Sequence, residues 1–259
     1  MNNFRTRFGE SRVIIGMIHL PPLPGYPNSA GIDNAIHHAI GELRVLERGG
    51  VDGVLVENEY DRPHRVLSRP ETTAAMTRIT RAIMRESEHA VVGCEILLND
   101  PQASLAVARM SGASFIRTDY FVDHMSRPEY GEFEIDPDGL IAYRKSIAAD
   151  DVLILADIQV KYATMREPRP LSESARIACE KGADAVIVTG DKSGEAPTAE
   201  MLREARSRLP VLIGSGLTAD NAAELLAECD GAIVGTSLIR DRSVDPGALE
   251  LLMKRIGRG

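Results

Sequence analysis

Seven residues able to carry acid–base or electrostatic chemistry fall at the polar ends of short apolar runs: His19, Glu57, Glu95, Arg117, Asp119, Asp157 and Lys161. The most informative run is Val152-Leu153-Ile154-Leu155-Ala156-Asp157-Ile158-Gln159-Val160-Lys161, apolar at first and then alternating polar with apolar. Successive side chains of a strand point to opposite faces, so Asp157, Gln159 and Lys161 are expected on one face, with Ala156, Ile158 and Val160 on the other. A carboxylate and an amine at one strand end suit a general base beside an electrostatic partner or a Schiff-base amine. The same alternation aims His19 inward with Met17, Glu95 with Gly93, and Arg117 and Asp119 with Phe115. Glu57 and Asn58 point to opposite faces, so one of them shares the cavity.

Asp157 or Glu95 is a candidate general base, Lys161 a stabiliser of a developing enolate, and His19 an acid. A structural role stands beside each: Arg117 with Asp119 as an internal ion pair, His19 as a hydrogen-bonded shaper of the first loop, Lys161 as a salt-bridge partner of Asp157 or Glu95. Converging carboxylates repel unless cations, protons or a divalent metal balance them. Arg117 and Lys161 supply two positive charges, and the residues identify no cofactor. His37 and His38 fall in mid-helix and are expected to take no part.

These residues need a scaffold that gathers strand ends. Strands are expected at Val13 to Leu20, Gly53 to Asn58, Ala90 to Leu98, Phe115 to Asp119, the run containing Asp157, Ala185 to Gly190, Val211 to Gly214, and Ala232 to Val234. Segments of helical periodicity alternate with them, from Asp33 to about Arg48, Thr72 to Glu88, after Asn99-Asp100-Pro101, Asp138 to Ala149, Ser172 to Lys181, Thr198 to Ser207, after Thr218-Ala219-Asp220-Asn221, and Pro246 to Ile256. Eight such βα units, roughly 30 residues each, predict an α/β chain folded as a single closed (β/α)8 TIM barrel over residues 1–259. Residues 120 to 136 show no period, and are expected to form a functional loop, a lid or a subunit contact on the catalytic face.

Glycine placement adds a ligand class. Ile213-Gly214-Ser215-Gly216 follows the seventh strand and Val234-Gly235-Thr236-Ser237 the eighth. In such barrels these loops often bind phosphate, because bare backbone lets N–H groups approach the oxygens. Gly214, Ser215, Gly216, Gly235 and Thr236 are the candidate phosphate-binding residues, although tight turns alone would also use glycine.

The segment Gly16-Met17-Ile18-His19-Leu20-Pro21-Pro22-Leu23-Pro24-Gly25 resembles the opening signature of the BtpA/SgcQ family. Ala156 to Ala163, Val188-Thr189-Gly190, Ile213 to Gly216 and Asp230 to Ser237 resemble its later signatures, so the likeness covers nearly the whole chain. The resemblance implies a phosphate-binding TIM barrel, and members of the family are linked both to photosystem I biogenesis and to sugar-phosphate gene neighbourhoods. Gln159 and Tyr162 stand where the family more commonly has histidines.

Composition narrows the partners. The formal net charge is −8 and no Lys/Arg run is long enough to track a nucleic-acid backbone. Cys94, Cys179 and Cys229 are odd in number and widely spaced, against a disulfide framework. No run approaches the roughly 20 apolar residues of a membrane span. The expectation is a cytoplasmic protein with a small phosphorylated substrate, no nucleic acid, no integral membrane segment and further copies of itself as partners. A sugar-phosphate lyase, isomerase or epimerase, or glycosyl chemistry, fits this mouth; a non-catalytic assembly factor is the alternative.

Overall fold

The computed structural model describes residues 3–190 and 194–258. Asp191, Lys192 and Ser193, which open the turn-rich loop expected after the sixth strand, lie outside them. The strands in chain order are β1 (Val13–His19), β2 (Gly53–Glu57), β3 (Val91–Glu95), β4 (Phe115–Thr118), β5 (Met125–Arg127), β6 (Gly131–Glu132), β7 (Leu153–Ile158), β8 (Thr164–Met165), β9 (Ala185–Val188), β10 (Val211–Ile213), β11 (Gly231–Val234), β12 (Ile239–Arg240) and β13 (Ser243–Val244). Eight of them close into a parallel barrel in the order β1-β11-β10-β9-β7-β4-β3-β2. This is the expected (β/α)8 fold.

Alternation divides each barrel strand between two cores. Val13, Ile15, Met17, Leu55, Phe115, Leu155, Ile187, Leu212 and Ile233 fill the barrel interior. Ile14, Ile18, Val54, Val56, Ile116, Ile154 and Ile213 face the helices outside. The helices are α1 (Asn3–Phe8), at the N-terminal end of the barrel, and around it α2 (Ile32–Arg48), α3 (Pro70–Glu86), α4 (Pro101–Ser111), α5 (Pro137–Ser146), α6 (Leu171–Glu180), α7 (Ala199–Glu204), α8 (Ala222–Leu226) and α9 (Pro246–Arg255). Asp100 caps α4 by accepting from the Ala103 N–H, as Asn99-Asp100-Pro101 implied. The segment expected to start at Asp33 begins at Ile32 with Gly31 in the cap position, and Asp33 lies in the first turn, paired with Arg78 at 2.8 Å. Helix α1 was not expected: its Phe4 and Phe8 enter the interior core from the N-terminal end, and Phe8 lies 5.7 Å from Phe115, ring centre to ring centre.

Two expectations need correction. The third strand stops at Glu95, short of Leu98, because side chains replace the ladder there: Ser104 Oγ accepts from the Ile96 N–H and Asn58 Oδ1 from the Leu97 N–H. Residues 120 to 136 are also not wholly irregular. Their β5 and β6 join β8 in an antiparallel sheet ordered β6-β5-β8, which covers one side of the mouth. Tyr120 stacks on the fully buried Phe133 with ring centres 3.9 Å apart, forming a small core with Leu98, Met125 and Val160. Strands of two or three residues leave no readable period. No helix among the described residues is long and apolar enough to cross a membrane.

Candidate functional site

The barrel strands deliver their polar tips to one end, around a cavity of about 210 Å³. Parallel register sets the neighbours: His19 lies opposite Glu57 on β2, and Glu57 opposite Glu95 on β3. His19 Nε2 is 3.5 Å from Glu57 Oε2. Burial pushes the His19 pKa below its usual value, with Glu57 opposing, so the imidazole is neutral near pH 7. Asn58 takes the other face, donating from Nδ2 to Asp61 and accepting from Leu97, which leaves Glu57 to line the cavity. His38 is not idle: its Nε2 lies 3.2 Å from the His19 carbonyl oxygen, holding the end of β1.

At the base of the mouth Arg117 meets three carboxylates. Its Nε donates to Asp157 Oδ2 at 2.8 Å and its Nη2 to Asp157 Oδ1 at 3.0 Å. Glu95 and Asp119 each lie 3.8 Å from the guanidinium. The guanidinium thus takes the position among the carboxylates that a cation would otherwise fill, and no three His, Cys, Asp or Glu among the described residues converge to hold a metal ion. Burial pushes the Glu95 carboxyl well above the usual range despite Arg117, favouring its neutral acid. Its Oε2 has no hydrogen-bond partner among the described residues. Asp119 is pushed up to about 6, first by burial, with Arg117 opposing.

Of these residues Arg117, Asp119, His19, Glu57 and Lys161 line the cavity, while Asp157 and Glu95 lie behind its wall. Lys161 pairs with no carboxylate among the described residues; its backbone N–H donates to Thr189 Oγ1 at 3.2 Å. The shared face proposed for Asp157, Gln159 and Lys161 does not hold. Strand β7 ends at Ile158 and Gln159 is left-handed at φ 49°, which breaks the alternation. The Gln159 side chain turns outward, donating to the Arg169 carbonyl and to Ser174 Oγ on α6.

Across the mouth the turns after β10 and β11 contribute Gly214, Ser215, Gly216, Gly235, Thr236 and Ser237. Among the described residues no group accepts a hydrogen bond from the backbone N–H of Ser215, Gly216, Thr236 or Ser237. The sequence reading missed Glu59, Arg62 and His64 after β2, Arg127 and Tyr130 from the small sheet, and Tyr162 after β7. Burial and the charge of Glu57 push Glu59 up to about 7, although Arg62 pairs with it. Only a polar Arg-Pro-His run signalled the first group, and no periodicity signalled the rest.

The model of the BtpA family matches residues 10–256. The chain belongs to the BtpA family. It is 34% identical to the photosystem I biogenesis protein BtpA of Synechocystis, over 100% of this chain and 92% of that protein. It is 29% identical to the putative sgc region protein SgcQ of Escherichia coli, covering 96% of this chain and 95% of that one. Among solved structures, thiamine phosphate pyrophosphorylase from Pyrococcus furiosus aligns with TM-score 0.60 at 18% identity, over 96% of both chains. At that identity the likeness is one of fold.

Proposed function

We propose that this BtpA-family chain is an enzyme that anchors a small phosphorylated metabolite, such as a sugar phosphate, and moves a proton on it, as an isomerase, epimerase or lyase does. One juxtaposition carries the reading: unbonded backbone N–H groups of the turns after β10 and β11 line the same cavity as Asp119, His19 and Lys161. Bare N–H groups suit phosphate oxygens. Asp119, with its pKa near 6, is poised as a general base. It follows β4, three strands round the ring from His19 on β1, so acid and base face each other across the opening. The neutral His19 imidazole donates to a developing oxyanion, and Lys161 stabilises its charge. Asp157 acts through Arg117, which it holds in place. The fold shared with an enzyme named for thiamine phosphate supports the reading by analogy.

Titration of the protein into inorganic phosphate and sugar phosphates, followed by phosphorus NMR, tests the anchor. Saturable binding, weakened in Lys161→Ala, is expected; binding of none of them removes it. Borohydride trapping with a phosphorylated ketose separates an electrostatic Lys161 from a Schiff-base one. The name of the Synechocystis relative favours a second reading, a non-catalytic assembly factor. In that case Asp119→Asn and Lys161→Ala would both rescue a strain lacking the gene.

A further inference from the structure

Opposite the glycine turns, the mouth is walled by side chains that the proton-transfer chemistry does not use. Arg127 on β5 is aligned by pairing with Gly131, and its guanidinium carbon lies 5.3 Å from the Tyr130 ring centre and 5.7 Å from that of Tyr162. Both rings lie within cation–π range of it. Its Nε is buried without a hydrogen bond of good geometry among the described residues, the Tyr120 hydroxyl being the neutral group beside the guanidinium. Its ion-pair partner, Glu129, is 3.8 Å away on a side chain that is 64% exposed, a pair of little worth that an incoming anion can replace. His64 lines the same wall, is only 7% exposed, and has an unpartnered Nδ1. Burial holds its pKa down at about 4, so it offers a neutral imidazole.

The charge of this wall also points one way. Glu59 is paired with Arg62, and Glu57 stands at the end of β2 beside His19, while Arg127 has only the exposed Glu129 as an ion-pair partner among the described residues. Arg127 is left as the cation open to a ligand on this side. It follows β4, four strands round the eight-strand ring from β11 and its glycine turn. A molecule bound at the turns reaches this wall with its other end.

We infer that Arg127, with His64, forms a second anion subsite, so that the substrate carries a carboxylate or a further phosphate at the end remote from its anchoring phosphate. This rests on the phosphate-anchor reading above. It narrows the substrate class to short chains charged at both ends. The planar fork of Arg127 suits bidentate contact with either anion.

Calorimetric titration of the full chain with matched pairs tests it: phosphoglycerate against glycerol phosphate, phosphogluconate against sorbitol phosphate, and fructose bisphosphate against fructose monophosphate. Each doubly anionic member is compared with the partner lacking its second charge, and inorganic phosphate is titrated alongside. The expected result is about tenfold tighter binding of at least one doubly anionic member. That preference should collapse in Arg127→Gln and survive in part in Arg127→Lys, with inorganic phosphate bound as before. Whether the carboxylate or the bisphosphate pair shows the larger ratio identifies the second anion. Phosphate binding with no preference in the unaltered protein overturns the second subsite alone. A preference that persists in folded Arg127→Gln overturns the assignment to Arg127. Failure of every probe, inorganic phosphate included, overturns the anchor and the subsite together.

Discussion

Arg117 and Asp157 form a two-bond ion pair between neighbouring barrel strands, 2.8 Å from Nε to Oδ2 and 3.0 Å from Nη2 to Oδ1, with the Asp157 side chain fully buried. Removing one partner of such a pair leaves an uncompensated buried charge. Asp157→Asn is therefore expected to destabilise the fold by about 3 to 5 kcal/mol, read as a lower urea midpoint at unchanged slope. A change below about 1 kcal/mol would show that Glu95 and Asp119 can hold Arg117 unaided.

Asp119 gives the fold a pH signature. Its carboxyl is pushed up to about 6, so the folded protein holds the proton more tightly than the unfolded chain. The stability this contributes is fully present below the ordinary aspartate range and is lost as pH rises through about 6. Glu59, pushed up to about 7, acts in the same direction. In Asp119→Asn the loss attributable to Asp119, on the order of 2 to 3 kcal/mol between about pH 4 and pH 7, should disappear. Urea unfolding of both proteins across that range checks it, and parallel curves would mean that Asp119 titrates normally.

The glycines of the anchor separate structural from binding effects. A Cβ on Gly216 would lie 2.2 Å from the Ala196 nitrogen, and φ is +75° there, so Gly216→Val should unseat the turn itself. Gly235 has φ −130°, which alanine can adopt, but its Cβ would press on Met17 Cγ at 2.9 Å and the His19 ring at 3.3 Å, so Gly235→Ala displaces those side chains rather than the turn. It should lower the melting temperature less than Gly216→Val does and weaken phosphate binding about tenfold, a calorimetric difference of about 1.4 kcal/mol.

Phe133 holds the small sheet over the mouth. It is fully buried under Tyr120, so Phe133→Ala should cost about 3 to 5 kcal/mol locally. Amides of residues 125–132 should then exchange with deuterated solvent much faster, while those of the barrel strands keep their protection. Equal acceleration everywhere would show that the sheet and barrel unfold as one unit.

The barrel was legible because each strand writes its two faces in alternation, and the same alternation brought His19, Glu57, Arg117 and Asp119 to the cavity. It failed at Gln159, where a left-handed residue that no sequence pattern signals ends β7. Alternation also could not rank depth. Asp157 reads like a cavity carboxylate, yet its bonds to Arg117 place it behind the wall, and the candidate base becomes Asp119. Arg127, Tyr130 and Tyr162 were hidden because β5, β6 and β8 are too short to show a period. Phe4 and Phe8 of α1 seal the barrel floor from a helix of six residues, below the length at which periodicity is readable.

Proton transfer on a phosphate-anchored substrate leaves a trace whatever the overall reaction. Incubating the protein with phosphorylated aldoses and ketoses in deuterium oxide, followed by NMR of the recovered sugars, reads it directly. The expected result is deuterium at the carbon beside the carbonyl of at least one of them, with uptake reduced at least about a hundredfold in Asp119→Asn. Absence of uptake into every sugar phosphate that binds, or uptake unchanged in Asp119→Asn, would contradict a proton-transfer role for this mouth.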